Sequence, residues 1–225
     1  MGERVKVSSE NKKGEVPAVL FKGAERSAGI IVLQEWWGLN QQIQDRAQEI
    51  GKKGGFTTIV PDLYRGQLGT NNEVAGHLMS GLDWFGAVKD IEGCAKYLLK
   101  HGCTKIGVTG YCMGGALTVA ACCLTPEVSA GVVFYGVPSK ELCDPSTMKV
   151  PIQCHFGDKD DIVGFSSPSD AEKLRKQLEA GKVNHEFYMY DAGHAFTNRS
   201  NPNFNQEASE KALERMYAFF TKHLK

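Results

Sequence analysis

The chain has 225 residues, 42% apolar and 23% charged, the size of one large domain or two small ones, and can bury a proper core. Its 26 basic and 26 acidic side chains cancel, and no long run of one sign breaks the mixture, so a nucleic-acid or membrane-surface partner is not expected. No apolar stretch approaches the roughly 18 residues needed to span a bilayer. The polar, lysine-bearing stretch Met1 to Gly14 lacks the apolar centre of a signal peptide, and the expectation is a soluble, cytoplasmic protein.

In chain order, Ala18 to Phe21 and Ala28 to Leu33 read as strands, the second a continuous apolar run of the kind found where both faces of a sheet are covered. Asn40 is a candidate N-cap for a helix carrying Ile43, Ala47 and Ile50, closed by Gly51, Gly54 and Gly55. Phe56 to Val60 is a strand stopped by Pro61, followed by a polar loop through Gly66 to Asn72. A helix from about Leu82 to Leu99 sets Phe85, Val88, Ala95 and Leu98 on related faces. Strands at Lys105 to Thr109, Ala130 to Tyr135, Val150 to Phe156 and Glu186 to Tyr190 then alternate with helices at Gly114 to Leu124, Ala171 to Leu178 and Ala208 to Leu224. Strands separated by helical segments imply right-handed crossovers and a mainly parallel sheet with helices on both faces. No repeat or linker divides the chain, so residues 1 to 225 are expected to form a single α/β domain. The loops long enough to suggest function are Tyr64 to Asn72, Val137 to Lys149 and Phe196 to Asn205.

Seven cysteines without a CxxC pair suit reduced thiols better than a disulfide framework or a zinc site. Cys94, Cys122, Cys123 and Cys154 fall in apolar helical or strand patterns and read as small buried hydrophobes, whereas Cys103 and Cys143 sit near loops, where an exposed thiol is expected. Cys112 stands apart. It occupies Gly110-Tyr111-Cys112-Met113-Gly114, the GxSxG nucleophile-elbow pattern with cysteine for serine, between a strand and a helix. A thiol at a helix N-terminus meets the positive end of the helix dipole, which favours the reactive thiolate.

A nucleophile of this kind needs a general base oriented by an acid, in the chain order nucleophile, acid, histidine. Two strand ends supply them: Gly157-Asp158-Lys159-Asp160-Asp161 and Asp191-Ala192-Gly193-His194. His194 is preferred to His77, His101, His155, His185 and His223 because it alone lies in a turn just after a strand. The spacing does not choose among Asp158, Asp160 and Asp161. A calcium loop is disfavoured there, since the glycine comes late and no bidentate glutamate follows. Glu35-Trp36-Trp37-Gly38 closes the second strand, where a carboxylate against two tryptophans is a candidate for a raised pKa and proton transfer. The same position in an α/β-hydrolase supplies an oxyanion-hole amide, so the donors would be the backbone N–H groups of Trp36 and Met113.

The segments Gln34-Glu35-Trp36-Trp37-Gly38-Leu39-Asn40, Pro61-Asp62-Leu63-Tyr64, Gly110-Tyr111-Cys112-Met113-Gly114-Gly115, Gly157-x-x-Asp160-x-x-Val163 and Ala192-Gly193-His194-Ala195-Phe196, in this order, resemble the dienelactone hydrolase family. The resemblance implies a three-layer α/β-hydrolase fold without a separate lid domain and a Cys112-Asp160-His194 triad. It implies hydrolysis of a small ester or lactone, such as a carboxymethylenebutenolide, with no metal and no cofactor. It also gives Glu35 the part of the carboxylate that holds the thiol neutral at rest and yields when substrate displaces it. Trp37, Tyr64, Arg65, Phe196 and Arg199 are the candidate substrate contacts. Two arginines hold the substrate carboxylate in dienelactone-cleaving members. Here Asn71 to Met79 contains none, and Asn198 takes the place of the second, with Arg199 one position later. The partner is a small molecule, and the expected state is a monomer, with a homodimer as the alternative. An inactive relative that uses Cys112 as an oxidisable thiol is the rival reading. A nucleotide-binding oxidoreductase is disfavoured, because the glycine-rich turn is mid-chain and no Tyr-x-x-x-Lys accompanies it.

Overall fold

The computed structural model describes residues 2–225, so Met1, the first residue of the polar N-terminal stretch, lies outside the described residues. Eight strands form one sheet, in spatial order β1 (Glu3–Val7), β2 (Val16–Phe21), β4 (Thr57–Pro61), β3 (Gly29–Leu33), β5 (Ile106–Tyr111), β6 (Val128–Phe134), β7 (Ile152–Gly157) and β8 (His185–Tyr190). β1 pairs antiparallel with β2, and β2 antiparallel with β4. Every other pairing is parallel. Helix α1 (Gln41–Gly54) packs against α6 (Gln206–Leu224) on one face, while α3 (Trp84–Lys100) packs against α4 (Met113–Leu124) on the other. The three-layer architecture and the mainly parallel sheet are those expected of the sequence.

Local chemistry explains where elements begin and end. The Asn40 Oδ1 accepts from the Ile43 N–H at 3.1 Å and caps α1, and Gly55, at φ 70°, closes it in the left-handed conformation. All five residues of β3 are buried, as befits a strand covered on both faces. Two elements differ from expectation. β1, Glu-Arg-Val-Lys-Val, is an edge strand whose outward charges hide its period. Helix α2 (Asn72–Ser80) forms where a loop was expected to end. Asn71 Oδ1 caps it by accepting from Val74 N–H at 2.9 Å, and only Ala75 in it is buried, so it carries no apolar stripe.

Two side-chain expectations are corrected. Phe85 is 58% exposed rather than part of the core face, because Asp83 caps α3 so that its first turn opens onto a shallow surface cleft beside Glu10 and Lys12. Cys143 is buried, since the loop after β6 folds inward around Leu142, Cys143 and Met148, beside a 3-10 turn at Pro145–Thr147. Cys123, conversely, is partly exposed. The loop after β6 therefore builds core rather than a binding surface.

Candidate active site

Five adjacent parallel strands from β3 to β8 point the same way, so the turns after β3, β5, β7 and β8 emerge along one edge. This edge is where an open parallel sheet binds ligands. Those four turns carry Glu35, Cys112, Asp160 and His194. Glu35, Cys112 and His194 line a cavity of about 890 Å³, and Asp160 stands behind His194.

Cys112 connects β5 to α4 with φ 55° and ψ −117°, a conformation that costs a non-glycine residue of order 1–3 kcal/mol. Two glycines make the turn feasible. A Cβ on Gly110 would collide with the Gly114 carbonyl, and one on Gly114 would stand 2.5 Å from the Leu33 carbonyl oxygen. Only bare backbone lets α4 begin so close to the ends of β3 and β5. The thiol is 8% exposed at the cavity floor.

His194 is held from behind. Its Nδ1 lies 2.7 Å from Asp160 Oδ2 and 3.1 Å from the Ser166 Oγ, and the ring meets Tyr135 edge-on with centroids 5.2 Å apart. Burial acts to lower the imidazole pKa, but the hydrogen bond that the ring donates to Asp160 and the neighbouring Cys112 outweigh it and raise the pKa to about 10. Of the three carboxylates in the turn after β7, Asp160 is 3% exposed and reaches the ring, while Asp158 and Asp161 are exposed. Asp160 Oδ1 also accepts from the Ile162 N–H at 3.1 Å, which fixes the turn.

Glu35 is 4% exposed, and burial pushes its pKa up to about 7 against the opposing effects of Asn198, His194 and Arg46. Asn198 Nδ2 donates to Glu35 Oε2 at 2.6 Å, whereas the buried Oε1 has no hydrogen-bond partner. A carboxyl in this setting can hold or release a proton near neutrality. Neither the Trp36 nor the Met113 backbone N–H donates to a protein acceptor among the described residues. Met113 opens α4 and Trp36 follows Glu35, so both amides belong to the turns that frame the thiol.

The candidate substrate contacts divide. Trp37 lines the cavity beside Trp36, with ring centroids 5.0 Å apart. The other four do not line it. Arg65 forks onto Asp90, with Nη1 2.7 Å from Oδ2 and Nη2 2.9 Å from Oδ1, so its charge is already committed. Tyr64 turns its hydroxyl to the Met113 Sδ at 3.1 Å, beneath the elbow. Phe196 is fully buried, and Arg199 faces two neighbouring clefts beside Glu49. Residues of unrelated segments complete the cavity: Asn72 and Met79 from α2, Ile162 and Phe165 after the acid, and Asn201 beyond the histidine. Sequence reading passed over Ser166, which has no motif, and the grip of Asn198 on Glu35, visible only when residues 163 positions apart meet. Arg46 was read only as part of a helix. It is buried, with Nη2 on the Thr197 carbonyl at 3.0 Å and Nη1 on Glu49 Oε2 at 3.0 Å, and it braces the loop after β8.

Residues 16–224 match the model of the dienelactone hydrolase family. Protein usf of Aquifex pyrophilus is 31% identical over 87% of this chain and 88% of its own length. A Yersinia pestis protein provisionally named as a carboxymethylenebutenolidase is 28% identical over 93% of this chain and 84% of its own. Among solved structures, a provisionally assigned dienelactone hydrolase from Klebsiella pneumoniae superposes with a TM-score of 0.84 at 23% identity, covering 99% of this chain and 100% of that one. A dienelactone hydrolase-like promiscuous phosphotriesterase from metagenomic libraries gives 0.83 at 16% identity, covering 100% and 99%. These structures share the fold. No helix among the described residues is long and apolar enough to cross a membrane. The matched family model and the shared architecture together make this chain a member of the dienelactone hydrolase family, a hydrolase of the α/β-hydrolase fold.

Proposed function

We propose that the protein hydrolyses small esters or lactones through a covalent thioester on Cys112. The observation that carries this reading is the single cavity floored by Cys112 on its strained turn and walled by His194, whose Nδ1 is paired with Asp160 at 2.7 Å. The Cys112 thiolate attacks the substrate carbonyl, forming an S–C bond while the C=O π pair moves onto oxygen. The amides of Trp36 and Met113 receive that oxyanion, and removal of one such donor costs roughly 10²–10³ in kcat in comparable acyl-transfer sites. Collapse of the intermediate breaks the C–O bond, and the departing alkoxide takes a proton from the His194 imidazolium. Water then gives a proton to His194 as it attacks the thioester, and the carboxylic acid leaves with the thiolate restored.

Glu35 governs the resting state in this scheme. Glu35 lines the same cavity as Cys112 and its buried Oε1 has no hydrogen-bond partner, so in this reading a carboxyl with its pKa raised to about 7 shares the thiol's proton near neutrality. Substrate entering the cavity displaces that interaction and leaves the thiolate to His194. Seven unpaired cysteines support a reducing, cytoplasmic setting, and a monomer acting on a small molecule is the working state. The test is steady-state turnover of short-chain aryl esters and small lactones by the wild type and by Cys112→Ala. Loss of turnover by at least about 10³ is expected in the variant, and undiminished turnover would remove Cys112 from the mechanism.

A further inference from the structure

The residues lining the cavity around Cys112 are of two chemical kinds. Trp36, Trp37, Met79, Ile162 and Phe165 are apolar, and Ile162, at 40%, and its neighbour Val163, at 82%, are also exposed to solvent. Leu68, 47% exposed, precedes the lining residue Gly69. Asn40, Gln42, Asn72, Asn198 and Asn201 contribute neutral carboxamides. Among the described residues no lysine or arginine lines the cavity. Of the arginines that come near in sequence, Arg46 is bound to Glu49 and the Thr197 carbonyl and Arg65 is forked onto Asp90, while Arg199 lines two adjoining clefts, one of which shares Asn40, Gln42 and Ser200 with this cavity. The cation that does reach the cavity is the His194 imidazolium, already paired with Asp160. Glu35 lines the same cavity, and its buried Oε1 has no hydrogen-bond partner.

An anionic substrate entering here would give up its hydration to face Glu35 with no lysine or arginine of the cavity lining in return. From the cavity walls we infer that the substrates are uncharged esters or lactones with a flat apolar part, seated against Trp36, Trp37 and Phe165, and polar but neutral substituents facing the carboxamides. This substrate class rests on the hydrolytic reading above and specifies it. The volume of about 890 Å³ admits a molecule of one or two rings.

A matched pair of probes separates charge from shape: 4-acetoxybenzoate and its methyl ester, each rate normalised to hydroxide-catalysed hydrolysis. With wild-type protein at low ionic strength and pH 8, kcat/KM for the methyl ester is expected to exceed that for the carboxylate by at least about tenfold. Gln42→Arg and Asn72→Lys each place a cation in the cavity lining, and each is expected to reduce that ratio by about fivefold or more. Equal turnover of the two probes, or preference for the carboxylate, would overturn the substrate class. If Cys112→Ala abolished both activities in that case, the hydrolytic reading would survive. A ratio unmoved in both cationic variants would also overturn it, because charge would then not set the preference. Absence of Cys112-dependent turnover with either probe would overturn the hydrolytic reading and this inference together.

Discussion

Two histidines at neighbouring strands, one buried and one lining the cavity, have opposite characters. His155, inside β7, is fully buried. Its Nδ1 lies 2.8 Å from the Tyr190 hydroxyl and its Nε2 2.8 Å from Gln153 Oε1, while Phe134 stacks on the ring with centroids 4.8 Å apart. Burial, aided by the charge of Arg215, lowers its pKa to about 3, so it stays neutral. His194, just after the adjacent strand β8, has a side chain 13% exposed, a carboxylate behind it and a thiol before it, and its pKa rises to about 10. The chemical identity of the partners, rather than burial, decides which imidazole can carry a proton in catalysis. Neutral partners on both nitrogens make a strut; a carboxylate on one and a cavity at the other make an acid and base.

The comparison breaks most visibly in kinetics. Under the proposed mechanism His194→Gln is expected to lower kcat by about 10³–10⁴, as loss of the base does in known triads, with thermal unfolding changed by only a few degrees. An ester hydrolysis assay beside a melting curve checks both halves. Retention of wild-type turnover would place the proton transfer elsewhere. The Arg65–Asp90 pair extends the lesson from histidines to arginines. Asp90 is 1% exposed and also accepts from Ser9 Oγ at 2.6 Å and Asn11 Nδ2 at 3.0 Å, so it ties the segment after β1 to α3. Arg65→Met leaves that carboxylate buried and uncompensated. A loss of about 3–5 kcal/mol in stability is expected, measured by urea unfolding, with KM unchanged. A raised KM at undiminished stability would return Arg65 to the substrate.

Why Arg65 was misplaced shows how far the amino-acid pattern carries. Glycines around Cys112 and the order of Cys112, Asp160 and His194 are local signals repeated at strand ends, and strand ends of a parallel sheet converge by topology. Those features were therefore legible. The choice of Asp160 was not legible from spacing, because burial separates it from Asp158 and Asp161 and the family resemblance was needed to select it. Long side chains such as Arg65 and Arg199 reach in directions set by partners far along the chain, here Asp90 and the clefts beside Glu49. The same limit hid Asn198 on Glu35. β1 and α2 escaped for a different reason, since an edge strand with outward charges and a helix that buries little present almost no periodicity.

Glu35 adds a third buried ionisable group to the comparison, and its pH dependence has a definite sign. With its pKa raised from 4.5 to about 7, the folded chain holds a proton that the unfolded chain has released. Stability from this group is fully present below pH 4.5 and lost as pH rises through 7, by about 3 kcal/mol in all for a shift of this size. The raised pKa of His194 acts in a separate window: its contribution is present below pH 6.5 and lost as pH rises through about 10. His155, with its pKa lowered to about 3, has the opposite sign: its contribution grows as pH rises from about 3 to 6.5 and offsets that of Glu35. Glu35→Gln is thus expected to make stability rise with pH between about 4.5 and 6.5 more steeply than in the wild type while leaving the decline above it. Denaturant midpoints across that range decide the matter, and a slope unchanged by the substitution would mean that the carboxyl is ionised in the folded protein throughout it. Because Asn198 Nδ2 already donates to one oxygen, the variant's amide must orient its own oxygen toward Asn198.

The smallest effect is expected at the strut. His155→Phe preserves the stack on Phe134 and the volume of the core but removes both ring nitrogens. Gln153 Oε1 then loses its donor and the Tyr190 O–H loses its acceptor, although Gln153 Nε2 keeps Glu186 Oε2 at 2.6 Å and the Tyr190 oxygen still accepts from Arg215 Nη1 at 3.0 Å. Each buried group left without a partner costs about 1–3 kcal/mol, so the midpoint of unfolding should fall while kcat and its pH profile stay as in the wild type. A kinetic defect at His155 comparable to that at His194 would mean that the two imidazoles communicate through Tyr190 and Phe196, whose rings lie 5.2 Å apart between them. The contrast would then no longer be between a strut and a catalyst but between two ends of one network. Stability loss without kinetic loss keeps them apart, because no hydrogen bond joins the Gln153–His155–Tyr190 chain to the ring of His194 among the described residues.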